Sequence, residues 1–195
     1  MPRFWPVILA LIVALAAMAV GLHTHIGGGE DHWTHASRYT ARVGFPFFIL
    51  TYSASSLARL WPGDTTKSLL RGRKWWGLAF ATTHTVHLYA LLKVITAPGA
   101  EPDWLYLSPA ILAYVILYAM ALTSWGWAYI AMGRWWKRLH SFGIHYLWLI
   151  FAAAYWLKAI AGEQRAITAT FGIIALGALG LRIAAWRKAK AKRAA

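Results

Sequence analysis

The sequence predicts an all-α membrane protein, a bundle of six transmembrane helices with both termini on the cytoplasmic side. Of its 195 residues, 59% are hydrophobic and only 13% charged, about half the charge of an average soluble domain. Six stretches reach the roughly 20 apolar residues that a bilayer core requires. Basic residues also collect on alternate connections, as they do at the cytoplasmic ends of membrane helices. This composition excludes a disordered chain and argues against a water-soluble enzyme, and the length is too short for a large multi-domain reductase.

The spans fall at residues 4–22, 42–61, 75–96, 107–131, 139–158 and 166–186, in one domain covering 1–195. Within the first, Ala17-Met18-Ala19 looks like a signal-peptidase site. The apolar run of about 19 residues exceeds an ordinary signal h-region, so it reads as a span. The second is the least apolar: Ser53, Ser55 and Ser56 interrupt it, and Arg59 near its end must snorkel to the headgroups. The third and fifth begin at basic Trp-Trp clusters, and the fourth contains no charge. The segment 187–195 is a basic, Ala-rich tail expected to fray into anionic headgroups. Placing the N-terminus, the 62–74 and 132–138 connections and the tail on one side gathers fifteen of the 20 Lys and Arg there and leaves five of the six acids opposite. That asymmetry sets the orientation, with a bacterial inner membrane as the expected location.

The absence of cysteine removes disulfides, thiolate metal sites, iron–sulfur clusters and cysteine nucleophiles. The net charge of +14 would suggest nucleic acid in a soluble protein, but no basic-aromatic motif of the known modules occurs. Topology accounts for the charge, and the partner it implies is membrane lipid. Trp61, Trp75, Trp76, Trp135, Trp136 and Trp186 sit at inner boundaries, where an interface belt explains them.

Ionisable residues inside spans are costly and point to function. Here they are histidines: His84 and His87 on the third span, His140 and His145 on the fifth. Neutral imidazole ligates iron, copper or zinc, and a bis-imidazole heme needs one histidine from each of two facing helices. The spans lack the carboxylates that hard cations prefer. Counting from Trp75 and Trp136 at about 1.5 Å per residue, His84 and His145 both lie about 14 Å deep, His87 about 18 Å and His140 about 6 Å. Depth therefore pairs His84 with His145. His84 and His87 share a helix face, so either can serve.

Two further groups are candidates. His23, His25, His32 and His35, with Glu30 and Asp31 nearby, form a histidine-rich outer connection able to hold a divalent metal or receive ferric ions. Gly27-Gly28-Gly29 leaves it without preorganised geometry, and solvated loop histidines are the plainer reading. Arg73 and Arg138, on the inner connections, can pair with heme propionates or with a partner protein, besides anchoring topology.

Three stretches carry a family resemblance. They are Tyr39-Thr-Ala-Arg-Val through Leu57-Ala-Arg-Leu-Trp-Pro; Arg73-Lys-Trp-Trp-Gly-Leu-Ala-Phe, with His87 ten residues after Gly77; and Leu122-Thr-Ser-Trp through Gly133-Arg-Trp-Trp-Lys-Arg-Leu-His140. In order, spacing and six-span setting, over about 100 residues, the chain resembles the ferric-reductase-like transmembrane domain family. Within that family it is most similar to the small heme-binding membrane subunits of bacterial periplasmic methionine sulfoxide reductase systems. The resemblance implies b-type heme and electron transfer across the membrane, with His87 and His140 matching family ligands. The family's second fifth-span histidine falls on Ala153 here, which implies one heme rather than two and leaves the partner of His87 open. His145 is the nearest replacement, and Tyr155 a distant one. No Gly-x-Gly-x-x-Gly or flavin domain is present, so the donor is expected to be a quinol or a separate cytoplasmic flavoprotein. The acceptor is expected to be an extracytoplasmic reductase partner or ferric iron. Two other classes compete: a heme-free scaffold subunit, and a metal or proton transporter using the same histidines.

Overall fold

The computed structural model describes residues 3–24 and 32–194. Among these the chain forms seven helices and no strand: α1 (Trp5–His23), α2 (His32–Leu60), α3 (Asp64–Ile95), α4 (Trp104–Leu122), α5 (Gly126–Met132), α6 (Arg134–Ile160) and α7 (Arg165–Ala194). Five of them, α1, α3, α4, α6 and α7, are long and apolar enough to cross a membrane. Helix α2 has the length, at 29 residues, but is not in that set. Arg38 and Arg42 dilute its apolar character together with Ser53, Ser55, Ser56 and Arg59, the residues that make 42–61 the least apolar of the six expected spans.

Local chemistry explains the boundaries. Pro6 sits in the first turn of α1, where its missing N–H costs nothing. Asp103 caps α4 through Oδ1, which accepts from the Leu105 and Tyr106 amides at 3.0 and 3.1 Å. The continuous fourth span expected over 107–131 is divided, because α4 stops at Leu122 and α5 begins only at Gly126. At the break Thr123 Oγ1 donates to the Ala119 carbonyl at 2.6 Å and Ser124 Oγ to that of Met120 at 2.7 Å. Both compete with the helical ladder, and the Trp136 indole N–H then takes the Thr123 carbonyl at 2.7 Å.

The tail also differs from expectation. Residues 187–194 continue α7 rather than fraying, since Ala, Lys and Arg are strong helix formers and nothing in the run breaks the ladder. Helices α2, α3 and α6 likewise extend five to eleven residues before the expected spans, carrying Arg38, Arg73, Arg138 and their neighbours on helical turns.

The chain divides into two compact units. The first comprises the described residues within Met1–Thr51 and Gly72–Leu107. Its core holds Phe45, Phe48, Phe80 and the fully buried Ala10 and Ala14. Phe48 and Phe80 meet at 5.1 Å, and Trp5 stands edge-on to Trp76 at 5.3 Å. The second comprises the described residues within Tyr52–Arg71 and Ser108–Ala195. There α6 and α7 pack along each other, joined by a Trp148 indole bond to the Ala175 carbonyl at 2.8 Å and a Tyr155–Phe171 stack at 4.9 Å. Gly143 on α6 admits Met120 and Ile116 of α4 so closely that any Cβ there would collide with them.

Candidate cofactor-ligand histidines

In the first unit α3 carries His84 and His87 three residues apart, with ring centroids 5.5 Å apart and planes at 70°. His84 is buried, 4.3 Å from the Phe80 ring. Its imidazole occupies a notch that exists only because position 44 of α2 is glycine: a Cβ there would lie 2.5 Å from His84 Cε1 and 2.7 Å from Nδ1. Nδ1 is 3.4 Å from Thr83 Oγ1, whose own proton goes to the Phe80 carbonyl at 2.8 Å. His87 is half-buried, with Nδ1 3.2 Å from Thr40 Oγ1 of α2. The Thr40 hydroxyl donates to the Ala36 carbonyl at 2.7 Å. A hydroxyl has one proton, and the shorter bond holds it. Thr40 therefore accepts from His87, whose Nδ1 is protonated and whose Nε2 keeps the lone pair.

In the second unit the two α6 histidines differ from each other. His140 stacks on Trp136 at 4.1 Å and places Nε2 3.1 Å from Thr123 Oγ1. Thr123 spends its proton on Ala119, so His140 donates from Nε2. His145 places Nδ1 2.6 Å from the Ser141 carbonyl one turn earlier. A carbonyl only accepts, so Nδ1 carries the proton and Nε2 the lone pair. The His145 ring meets the edge of Tyr52 at 5.9 Å. Tyr52 is fully buried and stacked on Trp148 at 6.4 Å. Over its ring, at 4.6 Å, lies the Arg182 guanidinium, which also donates to the Tyr52 carbonyl at 2.9 Å.

The remaining candidates are dispersed. Arg73 is exposed on α3, and Arg138 is exposed on α6 with its guanidinium 4.7 Å over Trp135. His23 is exposed at the end of α1, His32 is exposed at the start of α2, and His35 is buried one turn further on. His25, Glu30 and Asp31 lie outside the described residues. Among the described residues, no three His, Asp or Glu gather into a metal-holding group.

The donor set fits heme. An imidazole whose Nδ1–H is spent on an oxygen has an unprotonated Nε2, and that hydrogen bond fixes the tautomer and ring orientation of metal-ligating histidine. His87 and His145 meet that condition, and His84 does so through a longer bond. Sequence reasoning reached all four histidines but not their orienting groups. Thr40 lies 47 residues from its histidine, and the Ser141 acceptor is a backbone atom that any residue supplies. Tyr52 and Arg182 were equally invisible: one reads as an ordinary core aromatic and the other as a boundary cation.

Comparison with known proteins agrees with the resemblance carried by residues 39–140. The chain is 30% identical over 162 residues to the protein-methionine-sulfoxide reductase heme-binding subunit MsrQ of Yersinia pseudotuberculosis serotype O:1b (strain IP 31758), covering 75% of this chain and 78% of that protein. It is 30% identical to MsrQ of Yersinia pestis (strain Pestoides F), covering 75% and 77%. No family model and no solved structure matches it. With three quarters of each chain aligned, the protein belongs to the family of MsrQ heme-binding membrane subunits.

Proposed function

We propose that this chain is a b-heme membrane subunit that carries electrons from a quinol or cytoplasmic flavoprotein to an acceptor outside the cytoplasm, most simply a methionine sulfoxide reductase partner. Ferric iron is the alternative acceptor. The observation that carries the reading is the hydrogen bonding of the intramembrane histidines, which puts an oxygen acceptor at Nδ1 of both His87 and His145. The axial ligands belong to the set His87, His145, His84 and His140, with His87 ranked first. When bound, heme supplies a one-electron iron couple. The protein holds the imidazoles in one tautomer and surrounds them with apolar side chains. Arg73 and Arg138 are available to heme propionates or to the docking face of a partner.

We further propose six membrane crossings with both termini cytoplasmic, in the bacterial inner membrane. Support comes from the second unit, where Lys188 of α7 donates to the Leu60 carbonyl at the end of α2, 3.1 Å away. That contact sets the α2 C-terminus and the basic end of α7 at one level, as the charge asymmetry requires. The deciding experiment is a reduced-minus-oxidised visible spectrum of detergent-purified protein with a pyridine hemochrome count. Low-spin α and β bands at one heme per chain are expected. A flat spectrum after expression with ample heme overturns the electron-transfer reading and favours a scaffold or transporter.

A further inference from the structure

We infer that Thr40 is a positioning residue for His87, setting the imidazole tautomer and basicity that a metal would meet at Nε2; this rests on the proposal that His87 ligates heme. The contact joins two helices of the same unit. Thr40 is fully buried on α2, and its Oγ1 lies 3.2 Å from His87 Nδ1 on α3. Its hydroxyl is oriented from within its own helix, with the Ala36 carbonyl at 2.7 Å and the Ser37 carbonyl at 3.0 Å. With the proton held there, the oxygen lone pairs face His87 and can only accept. Nδ1–H is thereby fixed and Nε2 is presented unprotonated. A second hydroxyl on α3 repeats the device: Thr83 back-bonds to Phe80 and offers its oxygen to His84 Nδ1, 3.4 Å away.

The chemical consequence has a sign. A hydrogen bond accepted from Nδ1–H raises the basicity of the imidazole and stabilises the ferric form. Losing the acceptor must weaken ligation and raise the reduction potential. Valine is the isosteric replacement that keeps the buried volume and removes the oxygen, and serine keeps the oxygen and removes the methyl.

The test compares wild type, Thr40→Val and Thr40→Ser as full-length proteins. Two quantities are read: heme affinity with reduction potential, and the ring nitrogen shifts of 15N-labelled histidine in protein purified without heme, with His87 assigned by its loss in His87→Gln. In wild type His87 should show an unprotonated Nε2. Thr40→Val should mix the tautomers, lower heme affinity by about 10–100-fold, as outer-shell partners typically do, and raise the potential, while Thr40→Ser restores all three. Unchanged tautomer, affinity and potential in Thr40→Val overturn the assignment. Equal damage in Thr40→Ser also overturns it, since packing rather than the oxygen would then be responsible. The two readings fail separately. A His87→Ala protein with a wild-type heme spectrum would remove the ligand role, while the tautomer change in Thr40→Val would still report the hydrogen bond.

Discussion

The two units treat their histidines differently. In the first, His84 and His87 lie against α2, each with a threonine oxygen near Nδ1 and one with its ring in a glycine notch. In the second, His145 is steered by the backbone of its own helix, while His140 points Nε2 at Thr123 and stacks on Trp136. The same residue type therefore does two jobs. Three imidazoles have an oxygen near Nδ1, and the fourth is built into the joint where α4 ends and α6 begins. Depth in the sequence ranked His145 above His140, whereas family resemblance ranked them the other way.

Substitutions can break that contrast. The largest effect is expected for His87→Ala, which should lose heme by more than the roughly 10–100-fold typical of an outer-shell change; a full Soret band in the purified variant would remove His87 from the ligands. Next, His145→Ala should lower heme occupancy more than His140→Ala does. The reverse order in a pyridine hemochrome assay would show that His140 turns its ring on binding. Third, Gly44→Ala drives a methyl into the His84 ring. Overpacking of this kind costs about 1–3 kcal/mol, so a lower midpoint in thermal unfolding is expected, and an unchanged midpoint would mean that α2 and α3 can separate without penalty. The smallest effect belongs to Thr123→Val, which removes the oxygen partnering His140 Nε2. A loss of about 0.5–1.5 kcal/mol, the net value of one hydrogen bond, should appear in unfolding with heme content unchanged. Heme loss there would place His140 among the ligands.

Much of this was legible in the chain itself. Apolar runs separated by basic clusters give the helices, because both features follow directly from the bilayer's demand for length and for charge placement. The four intramembrane histidines stand out for the same reason. The division of 107–131 was not legible from hydropathy, since Thr123 and Ser124, which lie at the break, barely lower the apolar average. The helical course of 187–194 was concealed by charge, which suggests fraying, although Ala, Lys and Arg propagate a helix well. Thr40 could not be matched to His87 at all. Its role depends on where a single hydroxyl proton goes, and that is decided by distances of 2.7 and 3.2 Å.

The bonds from α7 to α2 have a consequence for biosynthesis. Helix α2 is too polar to join the five helices apolar enough to cross. Its C-terminal part receives Arg182 at the Tyr52 carbonyl, Lys188 at the Leu60 carbonyl and the ring contact of Arg182 with Tyr52. Those cations are made more than a hundred residues later. A crossing α2 would therefore leave the translocon held by α3 along its N-terminal part, with its C-terminal part clamped only when the last helix arrives, so a ribosome stalled before α7 would leave that end of α2 open to quality-control proteases.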